Sequence, residues 1–263
     1  MRPDYKNWMP KGMVLGTLAG ALGCFGLAAV CGCTGMIRNE TAKAVTTGVL
    51  LLAGAAAGGA ALWMELLYRA FSYDGKRQMS RQVIEGVAKY VELPEGGVGL
   101  DVGCGSGALT IACAKRNAQA HLIGVDRWGK EYASYSEPLC EANARAEGVS
   151  NVEFRRGDAL RLDFPDESFD AVVSNYVYHN IPGRDRQKIL LETLRVLKKG
   201  GTFALHDIFS EAKYGDMRAF VDRLREMGYE KVELIDTTNG MFMSPAEAKW
   251  MALSGSALLV GKK

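Results

Sequence analysis

The chain falls into two regimes of hydrophobic patterning. No charged residue occurs from Gly12 to Ile37, a run of 26, or from Ala44 to Met64, a run of 21. A helix rises about 1.5 Å per residue, so roughly 20 apolar residues cross the hydrocarbon layer of a bilayer. The two runs therefore predict transmembrane helices over about 12–37 and 44–67. The polar connector Arg38-Asn39-Glu40-Thr41-Ala42-Lys43 is short enough to join them as a hairpin.

From Lys76 onward helix and strand signals alternate. Val83, Ile84, Val87 and Val91 recur at helical spacing within 77–91, and Leu93-Pro94-Glu95-Gly96-Gly97 stops that helix. Short apolar runs predict strands at 98–102, 121–125, 152–154, 170–174 and 202–205, with two more near 231–235 and 257–260. Helices are expected over 106–117, 130–147, 186–198 and 214–227, and Lys199-Gly200-Gly201 reads as a turn. Strands alternating with helices imply an α/β fold, a parallel sheet covered on both faces. This divides the chain into an N-terminal anchor, 1–69, and a globular domain, 70–263.

Charge refines the picture. Arg2, Lys6 and Lys11 precede the first span and Arg69, Lys76, Arg77 and Arg81 follow the second, while the connector holds only Arg38 and Lys43. That imbalance predicts a multi-pass protein of the cell membrane with both ends and the globular domain in the cytoplasm. A secretory signal fits poorly, because its apolar region is usually shorter and no second span follows it. The near-neutral balance, a net charge of +2 over the whole chain, gives no support for nucleic-acid binding. Gly12, Gly16 and Gly20 are spaced by four, as are Gly54 and Gly58. They are expected to pack the two spans together, or to join copies of the chain as a homo-oligomer. The six cysteines form no CxxC pair and no Cys/His spacing suited to zinc, so no metal site is expected.

The chemistry concentrates in Asp101-Val102-Gly103-Cys104-Gly105-Ser106-Gly107, at the turn from the first strand into the next helix. Glycines there let a ligand lie against bare backbone. Gly103, Gly105 and Ala108 also satisfy a dinucleotide pattern, with Asp126 placed as a ribose-binding acid. An NAD(P)-dependent oxidoreductase is therefore an alternative. Three features favour a different ligand. Asp101 ends the first strand with a carboxylate suited to a cationic group. Gly157-Asp158-Ala159 offers a carboxylate and an amide for an adenine edge. The strand 169–174 ends in a polar cluster, Asn175 to Asn180. Asp126 could instead cap a helix, and Asp158 could simply make a turn.

Taken in order, GLDVGCGSG, LIGVD, GDA and LRVLKKGGTFALHD resemble the motifs of class I methyltransferases dependent on S-adenosylmethionine (SAM). The resemblance covers most of 76–263. It implies a doubly wound, Rossmann-like sheet of seven strands with the last antiparallel, and SAM as cofactor. It also implies roles. Asp101, Gly103, Gly105 and Gly107 would hold the methionine part. Asp126 would bind the ribose hydroxyls, with Arg127 or Trp128 beside the adenine. Asp158 and the Ala159 amide would read the adenine, and Asn175 would lie next to the transferred methyl. The expected acceptor is a small or lipid-like molecule. His179 and His206 follow the carboxyl ends of strands 4 and 5, where ligands bind in such sheets, and are the candidate bases. Cys104 reads as a small filler residue.

Overall fold

The computed structural model describes residues 2–129, 133–183 and 185–263. They divide into two compact units. One comprises residues up to Lys6 together with 79–263, and the other comprises 7–78. The globular unit, expected from residue 70, takes up the chain at Met79 by this division and includes the first few residues.

The smaller unit is a helical hairpin, α1 (Lys11–Cys33) and α2 (Glu40–Phe71). Asn39 caps α2, its side chain accepting from the Ala42 amide at 2.9 Å. The first helix ends four residues before Ile37, at a turn through Thr34 and Gly35. The 32 residues of α2 make a rod of about 48 Å, longer than a hydrocarbon core of about 30 Å. Its last turns carry charge, with Arg69 paired to Glu65 at 2.7 Å. Val14, Ala21 and Ala28 are buried on α1 at seven-residue intervals, and Gly54 and Ala61 match them on α2. A Cβ on Gly54 would sit 2.9 Å from the Phe25 ring, so that glycine lets the backbones close up. The stripe Gly12, Gly16 and Gly20 meets nothing within 4 Å, and neither does Gly58. The four-spaced stripe of α1 therefore does not pack the two spans together. The seam follows the 3.5-residue period of a left-handed pair instead. Leu15, Leu22, Leu27, Leu52 and Leu62 point outward and are exposed.

In the larger unit the described residues form one seven-stranded sheet, in the order β3-β2-β1-β4-β5-β7-β6. The strands are β1 (Val98–Val102), β2 (His121–Asp126), β3 (Val152–Arg156), β4 (Phe169–Asn175), β5 (Leu197–Ile208), β6 (Glu230–Asp236) and β7 (Ser256–Lys262). The first five are parallel and β7 runs antiparallel between β5 and β6. This is the expected methyltransferase-like sheet. A dinucleotide-binding sheet keeps the order 3-2-1-4-5-6, so the strand order counts against the oxidoreductase alternative. Helices α3 (Met79–Ala88), α4 (Ala108–Arg116), α5 (Glu137–Ala146), α6 (Arg186–Arg195), α7 (Glu211–Tyr214), α8 (Met217–Glu226) and α9 (Pro245–Trp250) complete the unit. The core includes Leu100, Val172, Leu190, Leu197, Phe203 and Leu259.

Three expectations change. Lys199-Gly200-Gly201 is not a turn before β5 but an irregularity within it, where pairing with β4 jumps from Leu197 to Thr202. The helix expected over 214–227 begins only at Met217, because Gly215 takes a φ of +69° and Asp216 caps α8 through the Arg218 and Ala219 amides. The start of the helix expected over 130–147 lies outside the described residues, and α5 begins at Glu137, capped by Ser136.

Candidate active site

Strand order reverses between β1 and β4, and in such sheets ligands bind in the crevice at the carboxyl ends of the strands, where these candidate residues gather. The loop from β1 to α4 needs its glycines. Gly103, Gly105 and Gly107 have φ of +77°, +56° and +79°, the left-handed region that side chains disfavour. A Cβ on Gly103 would lie 2.3 Å from Val177, so the residues after β4 press directly on this loop. The loop is pinned to β2 by the Gly103 and Cys104 amides, which both donate to the Val125 carbonyl. Burial pushes the Cys104 thiol well up, and it stays a protonated filler.

The acids surround the loop. Asp101 is 1% exposed and accepts from Thr110 Oγ1 at 2.7 Å. Burial, aided by the nearby Asp126, raises its carboxyl to about 7. Asp126 ends β2. Its Oδ2 accepts from the Gly105 amide at 2.9 Å and its Oδ1 from the Trp128 amide at 2.7 Å. Trp128 folds back, its Nε1 donating to the Gly105 carbonyl at 2.9 Å, while Arg127 is exposed. Asp158 follows β3, which is tied to Asp126 through the Gly157 amide. Its Oδ1 accepts from the Leu160 amide at 2.9 Å, so it does make a turn, yet the residue is exposed on the rim. Ala159 beside it is partly buried against the core.

On the other side of the crevice lie the residues after β4 and β5. Asn175 Oδ1 faces His206 Nδ1 at 2.8 Å. The second nitrogen of His206 meets Thr237 Oγ1 at 3.0 Å, and the ring is fully buried. Burial lowers this histidine to about 3. With both nitrogens engaged and the neutral form favoured, His206 is badly placed to take a proton from an acceptor. His179 differs. Its Nδ1 lies 2.5 Å from Asp207 Oδ1, and its side chain keeps 14% exposure. A carboxylate only accepts, so Nδ1 carries the hydrogen and Nε2 is the basic nitrogen. Asp207 is itself fixed, accepting the Tyr178, His179 and Ile208 amides. The sequence reading missed Asp207 as the orienting partner. The available signal was an acid beside His206 at the end of a mouth-forming strand.

Tyr176 lies between the two histidines, its ring centroid 4.6 Å from His206 and 6.0 Å from His179. It holds a φ of +55°, unfavourable for a bulky residue. Ser256 Oγ donates to the Leu253 carbonyl, so at 2.8 Å it is the Tyr176 hydroxyl that donates to Ser256 Oγ. The segment between β6 and β7 closes this side, with the Phe242 ring 5.4 Å from His206.

Residues 100–205 match a family model described as "Methyltransferase domain". A 27-O-demethylrifamycin SV methyltransferase of Amycolatopsis mediterranei (strain S699) is 30% identical over 181 residues, 66% of this chain and 62% of that protein. A demethylmenaquinone methyltransferase of Bacillus licheniformis is 36% identical over 112 residues, 42% of this chain and 44% of that protein. The chain thus spans less than two thirds of the length of these curated relatives. A crystal structure of the [4+2]-cyclase SpnF covers 73% of this chain and 85% of its own, with a TM-score of 0.54 at 22% identity, and shares the fold. Residues 100–205 thus resemble a methyltransferase domain in sequence, and the cofactor that resemblance implies is SAM.

The residues present fit that cofactor. Each Asp126 oxygen holds one backbone N–H and keeps a second lone pair for a ribose hydroxyl. The loop offers bare backbone, and Asp101 offers a carboxylate for a cationic ligand.

Proposed function

We propose that the chain is a SAM-dependent methyltransferase of small, lipid-soluble acceptors, working at the cytoplasmic face of the membrane. The observation that carries the reading is the loop of three left-handed glycines flanked by Asp101 and Asp126. When bound, SAM supplies a methyl on a sulfonium whose leaving group departs as a neutral thioether. Gly103, Gly105, Gly107 and Asp101 hold the methionine part. Asp126 holds the ribose, with Arg127 or Trp128 beside the base. Asp158 and Ala159 read the adenine, and Asn175 lines the methyl. Aligning acceptor and donor supplies much of the rate. His179, oriented by Asp207, takes the proton of an acceptor hydroxyl at Nε2. His206 acts at one remove, fixing the Asn175 amide.

Two helices long and apolar enough to cross a membrane support the location, since few of their residues are buried and a soluble hairpin would expose their leucines to water. Trp8 packs on Phe71 at 5.8 Å at the end of the hairpin where Tyr68 also lies, as interfacial aromatics do. A relative named for a quinone acceptor points the same way. The outward stripe Gly12, Gly16 and Gly20 suits self-association within the bilayer.

The test supplies methyl-labelled SAM and native lipid extract to the full chain in vesicles. Label is expected in the organic phase, reduced about a hundredfold by His179→Ala. Label confined to water-soluble products, or unchanged by His179→Ala, refutes the acceptor class or the base respectively.

A further inference from the structure

The residues ahead of the first apolar helix are held by the globular unit itself. Asn143 on α5 is 2% exposed. Its Oδ1 accepts the Asp4 backbone N–H at 2.6 Å. Its Nδ2 donates to the Asp4 carbonyl at 3.0 Å and to the Ser106 carbonyl at 3.0 Å. One side-chain amide therefore pairs with both backbone groups of Asp4, as a strand neighbour would, and ties that residue to the one between Gly105 and Gly107. An amide nitrogen has two hydrogens to donate, and both are used here. One turn along α5, Tyr5 donates its hydroxyl to Glu147 Oε1 at 3.1 Å, and its ring is buried. One turn back, the Cys140 thiol donates to the Gly105 carbonyl at 3.2 Å. The glycine loop thus hangs from α5 by two adjacent carbonyls, and the N-terminal segment is clamped at the same place.

We propose that residues 2–6 form a strap that, through Asn143, keeps the glycine loop in its ligand-binding shape, with Asn143 as a positioning residue for the cofactor. This rests on the reading that the loop takes SAM. A loop of left-handed glycines has much freedom to lose on binding, and fixing it beforehand raises affinity. Without the strap the buried Asn143 amide keeps only its bond to Ser106, and its oxygen is left without the Asp4 donor.

The test titrates S-adenosylhomocysteine calorimetrically into the full chain in detergent micelles and records melting in parallel. Deleting residues 2–5, or Asn143→Ala, is expected to weaken binding by roughly five- to twentyfold. Combining them costs no more than Asn143→Ala alone. The isosteric Asn143→Asp keeps the acceptor for the Asp4 N–H but loses the donors to the Asp4 and Ser106 carbonyls, and should bind as weakly as Asn143→Ala. Leu224→Ala, a core truncation on α8, should lower the melting temperature and leave affinity unchanged. Parental affinity in the deletion, in Asn143→Ala or in Asn143→Asp, with cooperative melting, overturns the inference. A parent chain that binds no S-adenosylhomocysteine overturns this inference and the cofactor reading together.

Discussion

Asp101 is a buried acid whose charge the cofactor is expected to control. Its carboxyl lies near 7 in the free folded chain and near 3.8 when exposed. Between those values the folded state holds a proton that the unfolded chain has released. Stability of the free protein therefore falls as pH rises from about 4 to about 7, then levels off. A cationic methyl donor favours the carboxylate, so binding should strengthen as pH rises through 7 and release a proton below it. SAM affinity measured at pH 6 and pH 8 should differ several-fold in the parent and hardly at all in Asp101→Asn. Equal affinity at both pH values in the parent contradicts this role. Most residues of the cofactor side were legible in the sequence, because glycine spacing and strand-end acids are local signals. The acceptor side was less so. Nothing local in the sequence distinguishes His179 from His206. Only the pairing of β4 with β5 sets one beside Asp207 and encloses the other between Asn175 and Thr237.

At the scale of elements, the strands of the parallel core were readable because each is an apolar run ended by turn residues. The boundaries that failed had tertiary causes. Lys199-Gly200-Gly201 stays in β5 because the Gly200 amide and Gly201 carbonyl bond to Lys263 at the far end of the chain. The break between α7 and α8 was marked by Gly215-Asp216, a helix stop followed by a cap, but the surrounding helical spacing masked it. In the hairpin, four-residue glycine spacing suggested a seam the structure does not use. Gly54→Leu should force Phe25 out of the seam and lower the melting temperature of the hairpin in micelles, whereas Gly16→Leu should leave it near the parent value. The opposite ranking would restore the four-spaced stripe as the packing face.

For the whole molecule, connectivity matters more than any single contact. The chain leaves the globular unit after Lys6 and re-enters it at Met79, so the proposed membrane hairpin is expected to begin and end on one side of the bilayer. Single cysteines at positions 2 and 150, in a cysteine-free background, should react with an impermeant maleimide from the same side, and one at position 40 from the other. Labelling of position 2 from the side opposite to 150 would contradict the hairpin topology. The central claim, that the glycine loop and its acids grip a sulfonium nucleoside, is tested most directly by titrating SAM and NADH into the full chain and its Asp126→Ala variant. The account predicts that SAM binds the parent, that the variant loses at least about tenfold in affinity, and that NADH neither binds nor competes. Binding of NADH in place of SAM, or unaltered SAM binding by the variant, would contradict it.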